Sequence, residues 1–138
     1  MSTTGLARIL VVDDEPQIRK FLRISLGAYG YEVIEAARGE EGVGRCATES
    51  PDLVILDLGL PDLDGRAVIA RIREWSTIPI IVLSVRAAEA EKVAALDAGA
   101  EDYVTKPFGI HELLARVRAV LRSRKHKGEP PPPVVTIG

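Results

Sequence analysis

Pro51-Asp52-Leu53-Val54-Ile55-Leu56-Asp57-Leu58-Gly59-Leu60-Pro61-Asp62-Leu63-Asp64-Gly65 is the stretch that decides the fold. A continuous apolar run, Leu53 to Leu56, ends in the carboxylate of Asp57 and opens into a loop of Gly, Pro and Asp. Runs of this kind, apolar on both faces, mark buried strands of a parallel sheet. The chain starts the same way: Ile9-Leu10-Val11-Val12 leads into Asp13-Asp14-Glu15-Pro16. Open parallel sheets carry their sites beyond the C-terminal ends of the strands. Both acidic junctions therefore belong to one edge. Three gathered carboxylates repel each other unless a cation sits among them, and a hard, oxygen-liking ion such as Mg²⁺ suits them.

Working outward, strand-like and helix-like segments alternate along the whole chain. Ile18, Phe21, Leu22 and Leu26 recur at helical spacing, and Gly27 to Gly30 closes that helix. Tyr31 to Glu35 reads as a second strand, and a weak helix follows from about Glu40 to Thr48. Gly42 and Gly44 each disfavour that helix by roughly 1 kcal/mol relative to Ala. The third strand is Asp52 to Leu56; Val68, Ile69 and Ile72 mark a third helix, and Ile78 to Leu83 a fourth strand with Pro79 near its start. Glu89 to Ala98 is helical and ends at Gly99. Tyr103 and Val104 form a short fifth strand, and Leu113, Leu114, Val117, Val120 and Leu121 stripe a fifth helix. Five βα units imply a doubly wound parallel sheet with helices on both faces.

The 138 residues suffice for one core, and 46% apolar with 28% charged residues is ordinary for a globular protein. No apolar run approaches the ~20 residues that span a bilayer. One cysteine, Cys46, excludes an internal disulfide and a Cys-rich metal site, which fits a reducing, cytoplasmic setting. A net charge of −2 argues against nucleic-acid binding by the segment as a whole. Arg116, Arg118, Arg122, Arg124, Lys125 and Lys127 nevertheless crowd the last helix, where cations complement a helix C-terminus. Residues 1–127 form the expected domain. Residues 128–138 read as a stiff Pro130 to Pro133 linker and then, from Val134, the start of a C-terminal domain that the chain does not include.

Four polar sets follow strands: Asp13 with Asp14, Asp57, Ser84 and Lys106. Together they suit phosphoryl chemistry. A carboxylate can accept a phosphoryl group as an acyl phosphate, Mg²⁺ can neutralise the charge, and a lysine and a hydroxyl can hold phosphoryl oxygens. Each alone has an ordinary reading: a helix cap, a turn, a loop hydroxyl or a surface lysine. Asp62-x-Asp64-Gly65 begins like a calcium loop without its downstream ligands, so a turn is expected. His111 and His126 lack metal-ligand spacing. Cys46 is expected to be an inert thiol on a helix, and Trp75 to pack at a loop.

Ile9 to Pro16, Pro51 to Gly65, Pro79 to Ser84 and Ala95 to Phe108 together resemble the receiver domain of two-component response regulators, over residues 7 to 123. The winged-helix, DNA-binding subfamily is the one resembled. Within it, Leu58 to Pro61, Glu74 to Ser76 and Lys106 to Ile110 most resemble regulators of the Kdp potassium-transport operon. The resemblance implies a flavodoxin-like (βα)₅ sheet of order 2-1-3-4-5 and a regulatory domain, not an enzyme. Asp57 matches the phosphoacceptor, served by a sensor histidine kinase. Asp14, Asp13 through water, Asp57 and the Gly59 carbonyl match the Mg²⁺ ligands. Lys106 matches the family's lysine before a cis proline, Ser84 the switch hydroxyl, and Tyr103 the aromatic that turns inward once that hydroxyl engages a phosphoryl group.

The resemblance also implies a homodimer through the fourth helix, fifth strand and fifth helix. Lys92 with Glu112 and Asp97 with Arg116 match its charge pairs. Asp102 matches half of a third, whose arginine position holds Ser123, leaving Arg122 or Arg124 to substitute. DNA contact would come only from the absent C-terminal domain. Val85, at a position usually filled by Ala or Gly, and Gly59, which brings no side chain to the phosphate, imply slow self-phosphorylation and a long-lived adduct. Two other readings remain open: a stand-alone receiver acting by protein contact, and a small Mg²⁺-dependent aspartyl phosphohydrolase.

Overall fold

A computed structural model describes residues 7–128, with side chains to residue 123. The linker and strand were expected from residues 128 to 138; Gly128 instead ends the last helix, and residues 129–138, with the side chains of Arg124, Lys125, His126 and Lys127, lie outside the described residues. The elements run β1 (Arg8–Val12), α1 (Pro16–Ala28), β2 (Glu32–Ala36), α2 (Gly39–Glu49) and β3 (Leu53–Asp57), then α3 (Gly65–Arg73), β4 (Ile80–Ser84), α4 (Glu89–Ala98), β5 (Asp102–Thr105) and α5 (Ile110–Gly128). The strands form one parallel sheet in the order β2-β1-β3-β4-β5.

Alternation within each strand divides the core into two layers, because successive side chains leave opposite faces. Ile9, Val11, Ile55, Ile81, Leu83 and Val104 pack with Leu22 and Leu26 of α1 and Leu113, Leu114 and Val117 of α5. Leu10, Val12, Val54, Leu56 and Val82 face the other way, onto Cys46, Val68, Ile69, Ile72 and Ala95 of α2, α3 and α4. The strands are apolar throughout because both faces are covered.

Two glycines set close approaches. A Cβ at Gly42 would lie 2.9 Å from Val12 Cγ2, so the residue that weakens α2 locally is the one that lets it sit against β1. A Cβ at Gly65 would lie 2.6 Å from Leu58 Cα, so the start of α3 can press on the residue following Asp57. α4 ends at Gly99, as expected.

Two expectations are corrected. Phe21 was read as part of the core stripe of α1, yet it is 43% exposed and makes a tilted contact with Phe108, ring centroids 6.2 Å apart. Leu22 and Leu26, with partly buried Ile18, complete the inner stripe of that helix, and Phe21 falls at its flank. Trp75, expected to pack at a loop, stands half exposed after α3, where the apolar stripe has already ended at Ile72.

At the N-terminal edge of the sheet, charges join elements to one another. The Arg8 N–H donates to Asp52 Oδ2 at 2.8 Å, and its guanidinium reaches Glu32 at 3.3 Å and the Glu49 carbonyl at 2.8 Å. Arg73 donates to the Gly99 carbonyl at 2.8 Å and the Ser76 carbonyl at 3.2 Å, and pairs with Glu101 at 3.3 Å. These bonds tie the helix ends to the strand starts.

Candidate functional site

Parallel register carries the predicted residues to one edge. Asp13 follows β1, Asp57 and Ser84 are the last residues of β3 and β4, and Lys106 follows β5. Leu56 is aligned with Val12, Asp57 with Leu83, and Ser84 with Thr105, so the strand ends finish together. Asp13, Asp57 and Ser84 are the buried polar residues among those described. Carboxylate oxygens of Asp13, Asp14 and Asp57 lie within 4.8 Å of one another. Lys106 Nζ lies 3.2 Å from Asp13 Oδ2, 3.5 Å from Asp57 Oδ1 and 3.7 Å from Glu15 Oε1. The Lys106–Pro107 peptide is cis, as the resemblance implied.

One amine serving several carboxylates leaves negative charge uncompensated. Burial pushes the Asp57 carboxyl above its ordinary range, and the neighbouring Asp13 charge pushes the same way. Lys106 and the Gly59 backbone N–H pull it back only in part. For Lys106, burial opposes the charge, yet Asp13, Asp57 and Glu15 together raise its pKa above the usual lysine value. The donor set is all oxygen, clustered and under-neutralised, which fits a divalent cation of the hard type.

Asp13 is held on every side. Its N–H donates to the Ala36 carbonyl at 3.1 Å, extending the sheet hydrogen bonding beyond β1. Its Oδ1 accepts from the Glu15 N–H at 2.9 Å, its Oδ2 meets Lys106, and its carbonyl accepts from Arg19 at 2.7 Å. Asp14 is exposed, and among the described residues its carboxylate has no hydrogen bond or ion pair. The buried residue is thus engaged, and the exposed one is free to take a ligand.

Ser84 and Tyr103 meet at a single residue. Ser84 Oγ accepts from the Arg86 N–H at 3.0 Å, while the Tyr103 hydroxyl donates to the Arg86 carbonyl at 2.6 Å. Tyr103 is already buried here, with Ser84 Oγ on the loop rather than on a phosphoryl group. The Arg86 side chain lies 3.7 Å from Glu91 in the first turn of α4. A change at Ser84 therefore has a short covalent and hydrogen-bonded route to Tyr103 and to α4.

The loop between β3 and α3 is braced by its own aspartates. Asp62 accepts from the Gly39 and Glu40 N–H groups at 2.7 and 3.0 Å, and these bonds hold its carboxyl below the usual range. Asp64 accepts from the Arg66 N–H at 2.8 Å as the N-cap of α3. Both carboxylates are committed to helix starts, which accounts for them without calcium. Gly59 lies beside the acceptor: a Cβ built there would sit 3.9 Å from Asp57 Oδ2. Val85 is 73% exposed and Cys46 is buried, with burial pushing its thiol pKa up.

The residues matched to a dimer face are differently placed. Lys92 and Asp97 lie on α4 and make no ion pair among the described residues. Arg116 grips both oxygens of Asp102, at 3.0 and 3.1 Å, and pairs with Glu112 at 3.2 Å within the same chain. Sequence reasoning missed Arg19, Glu35 and Arg86. For Arg19 the available signal was an arginine one helical turn after the acidic junction.

The sequence profile of the response regulator receiver domain matches residues 9–118. The Transcriptional regulatory protein KdpE of Mycobacterium tuberculosis (strain ATCC 25618 / H37Rv) is 53% identical over 92% of this chain and 56% of that protein. The KDP operon transcriptional regulatory protein KdpE of Escherichia coli (strain K12) is 51% identical over the same shares of each. The chain thus spans about half the length of these curated relatives. Among solved structures, a CheY-like receiver domain protein from Methanospirillum hungatei JF-1 superposes with a TM-score of 0.85 at 30% identity, covering 90% of this chain and 100% of that one. The BeF₃-activated N-terminal receiver domain of Klebsiella pneumoniae RstA gives a TM-score of 0.81 at 33% identity, over 83% and 98%.

Proposed function

The chain belongs to the response regulator receiver domain family, and from that premise we propose that Asp57 accepts a phosphoryl group from the phosphohistidine of a sensor histidine kinase. The observation that carries this reading is the burial of Asp57 at a strand end, within one carboxylate cluster and in reach of Lys106. An Asp57 carboxylate oxygen attacks phosphorus in line with the departing imidazole. A P–O bond forms, the P–N bond breaks, and the imidazole keeps the electron pair and is protonated. The product is an acyl phosphate.

Asp13, Asp14, Asp57 and the Gly59 carbonyl would hold Mg²⁺. When bound, the ion supplies positive charge to the carboxylates and to the transferring oxygens. Lys106 exchanges its carboxylate contacts for a phosphoryl oxygen, and its compact ammonium suits a point contact. The Ser84 hydroxyl leaves the Arg86 N–H to donate to another phosphoryl oxygen. Tyr103, buried against the Arg86 carbonyl, holds the β4–α4 loop in the arrangement that this exchange selects. Phosphorylation biases the switch only to the extent that the two arrangements bind the group unequally.

The output is a homodimer through α4, β5 and α5 that controls transcription. Lys92 pairs with Glu112 across the two-fold axis and Asp97 with Arg116. Asp102 turns to Arg122 or Arg124, because Ser123 stands where the third arginine is expected. The receiver runs to the end of α5 at Gly128, residues 129–138 lead into a DNA-binding domain beyond this chain, and the setting is the cytoplasm. The KdpE relatives support potassium-transport genes as the target. The chemistry is confined to self-phosphorylation and self-dephosphorylation.

Intact mass spectrometry after incubation with Mg²⁺ and acetyl phosphate tests the reading. The expected result is one persistent phosphoryl adduct, absent from Asp57→Asn. Turnover of varied phosphate esters with no retained adduct would instead establish a phosphohydrolase.

A further inference from the structure

Arg19 lies in the first turn of α1, and its N–H donates to the Glu15 carbonyl at 3.1 Å. Its guanidinium turns back toward the acidic junction. One nitrogen donates to the Asp13 carbonyl at 2.7 Å, and Nε donates to Glu35 Oε1 at 3.2 Å. Glu35, near the end of β2, also accepts from Arg23 at 2.8 Å through its other oxygen. The Arg19 side chain is only 18% exposed. An ordinary helix-to-strand ion pair accounts for the Glu35 contact. It does not account for a guanidinium spent on the carbonyl of a buried aspartate at the edge of the site.

That carbonyl belongs to the peptide plane between Asp13 and Asp14. The plane is rigid, so fixing its oxygen limits the direction in which Asp14 leaves it. The other side of Asp13 is already fixed, through its N–H and both carboxylate oxygens. Asp14 has no such support, because its exposed carboxylate has no hydrogen bond or ion pair among the described residues. Its aim therefore depends on the backbone alone. A ligand held in place before the cation arrives loses less freedom on binding.

We propose that Arg19 is a positioning residue for the divalent cation: braced by Glu35, it clamps the Asp13 carbonyl and so orients the Asp14 carboxylate toward the ion. This role rests on the cation reading of the carboxylate cluster. Arg23 shares Glu35 but makes no contact with Asp13, so it serves as an internal control. Charge alone predicts the opposite sign for Arg19, since deleting a cation near a dication site favours the dication.

Titration calorimetry of the full chain with MgCl₂ measures the affinity directly, and thermal unfolding followed by circular dichroism reports the fold. Arg19→Ala is expected to weaken Mg²⁺ binding about tenfold, the scale of lost supporting contacts around metal ligands. Arg19→Gln, which keeps an N–H donor, is expected to recover part of that loss and serves in its place if Arg19→Ala does not fold. Arg23→Ala should leave the affinity unchanged while lowering the melting temperature to a similar extent. Unchanged or tighter binding in the Arg19 variants overturns the role, as does equal weakening in Arg23→Ala. Absence of Mg²⁺ binding by the unmodified chain overturns the cation reading itself, a distinct result from selective failure of the Arg19 effect.

Discussion

The two edges of the sheet use charge in opposite ways. At the N-terminal edge, Arg8 meets Asp52, Glu32 and Glu49, and Arg73 meets Glu101 and two carbonyls. The paired carboxylates there, Glu32, Glu49 and Glu101, are 64%, 41% and 35% exposed, so water shares their charge, and they lie where elements must be joined. At the C-terminal edge, Lys106 alone faces Asp13, Asp57 and Glu15, with Asp14 in the same cluster. The first arrangement stabilises the fold. The second carries an electrostatic cost in the free protein, the pattern of a site whose missing charge comes from a ligand.

The largest test of this contrast is Lys106→Met. It keeps much of the side chain's length and removes the one ammonium at the acidic edge among the described residues. Leaving buried carboxylates without their partner is expected to destabilise the domain by about 3 kcal/mol at neutral pH. Saturating Mg²⁺ should restore more stability to this variant than to the unmodified chain, because the ion takes over the neutralising charge. Thermal melts with Mg²⁺ and with a chelator measure both effects. If Lys106→Met melts like the unmodified protein without metal, the edges do not differ as described.

Asp57→Asn should move stability the other way. Burial, with Asp13 beside it, raises the folded Asp57 pKa above its ordinary value of 3.8. The favoured protonated form therefore contributes stability that is fully present below 3.8 and is lost as pH rises through the folded pKa. Above that window the ionised carboxylate is a liability. Asparagine carries no charge at any pH. In metal-free solution its advantage should be near zero in acid and grow as pH rises through the folded pKa. A gain of a few degrees in melting temperature is expected at neutral pH, at roughly 4 °C for each kcal/mol. A pH-independent difference between the two proteins would assign the effect to packing.

The framework of these edges was legible because it depends on local pattern. Apolar runs ending at Asp13, Asp57 and Ser84 placed three strand ends, and parallel connection then brought them together. What was not legible depends on reach across the fold. An arginine one turn after the acidic junction is visible in the sequence, but not that it bonds the Asp13 carbonyl while bridging to Glu35 in the next strand. Gly42 counted locally as a helix-weakening residue, whereas its contact with Val12 explains why it is there. Periodicity placed Phe21 on the inner stripe because it sits beside Leu22, at a flank where it meets Phe108 of the β5–α5 loop. The resemblance singled out Tyr103, but the hydrogen bond from its hydroxyl to the Arg86 carbonyl depends on a contact across the fold. Arg116 offered several acidic partners, and geometry selects Asp102 and Glu112 within the chain.

The smallest expected effect belongs to the solvent-exposed N-terminal edge. Arg8→Ala removes the guanidinium contacts with Glu32 and with the Glu49 carbonyl, while the backbone N–H to Asp52 survives the substitution. The side chain is 38% exposed, so water can solvate the groups left behind. The loss should be about 1 kcal/mol, the scale of a part-exposed charged hydrogen bond. It should shrink with added salt, because screening weakens exposed pairs more than buried ones. Mg²⁺ affinity should not change, since Arg8 and the carboxylate cluster sit at opposite ends of the same strand. A loss of affinity in Arg8→Ala would mean that the two edges are coupled through β1.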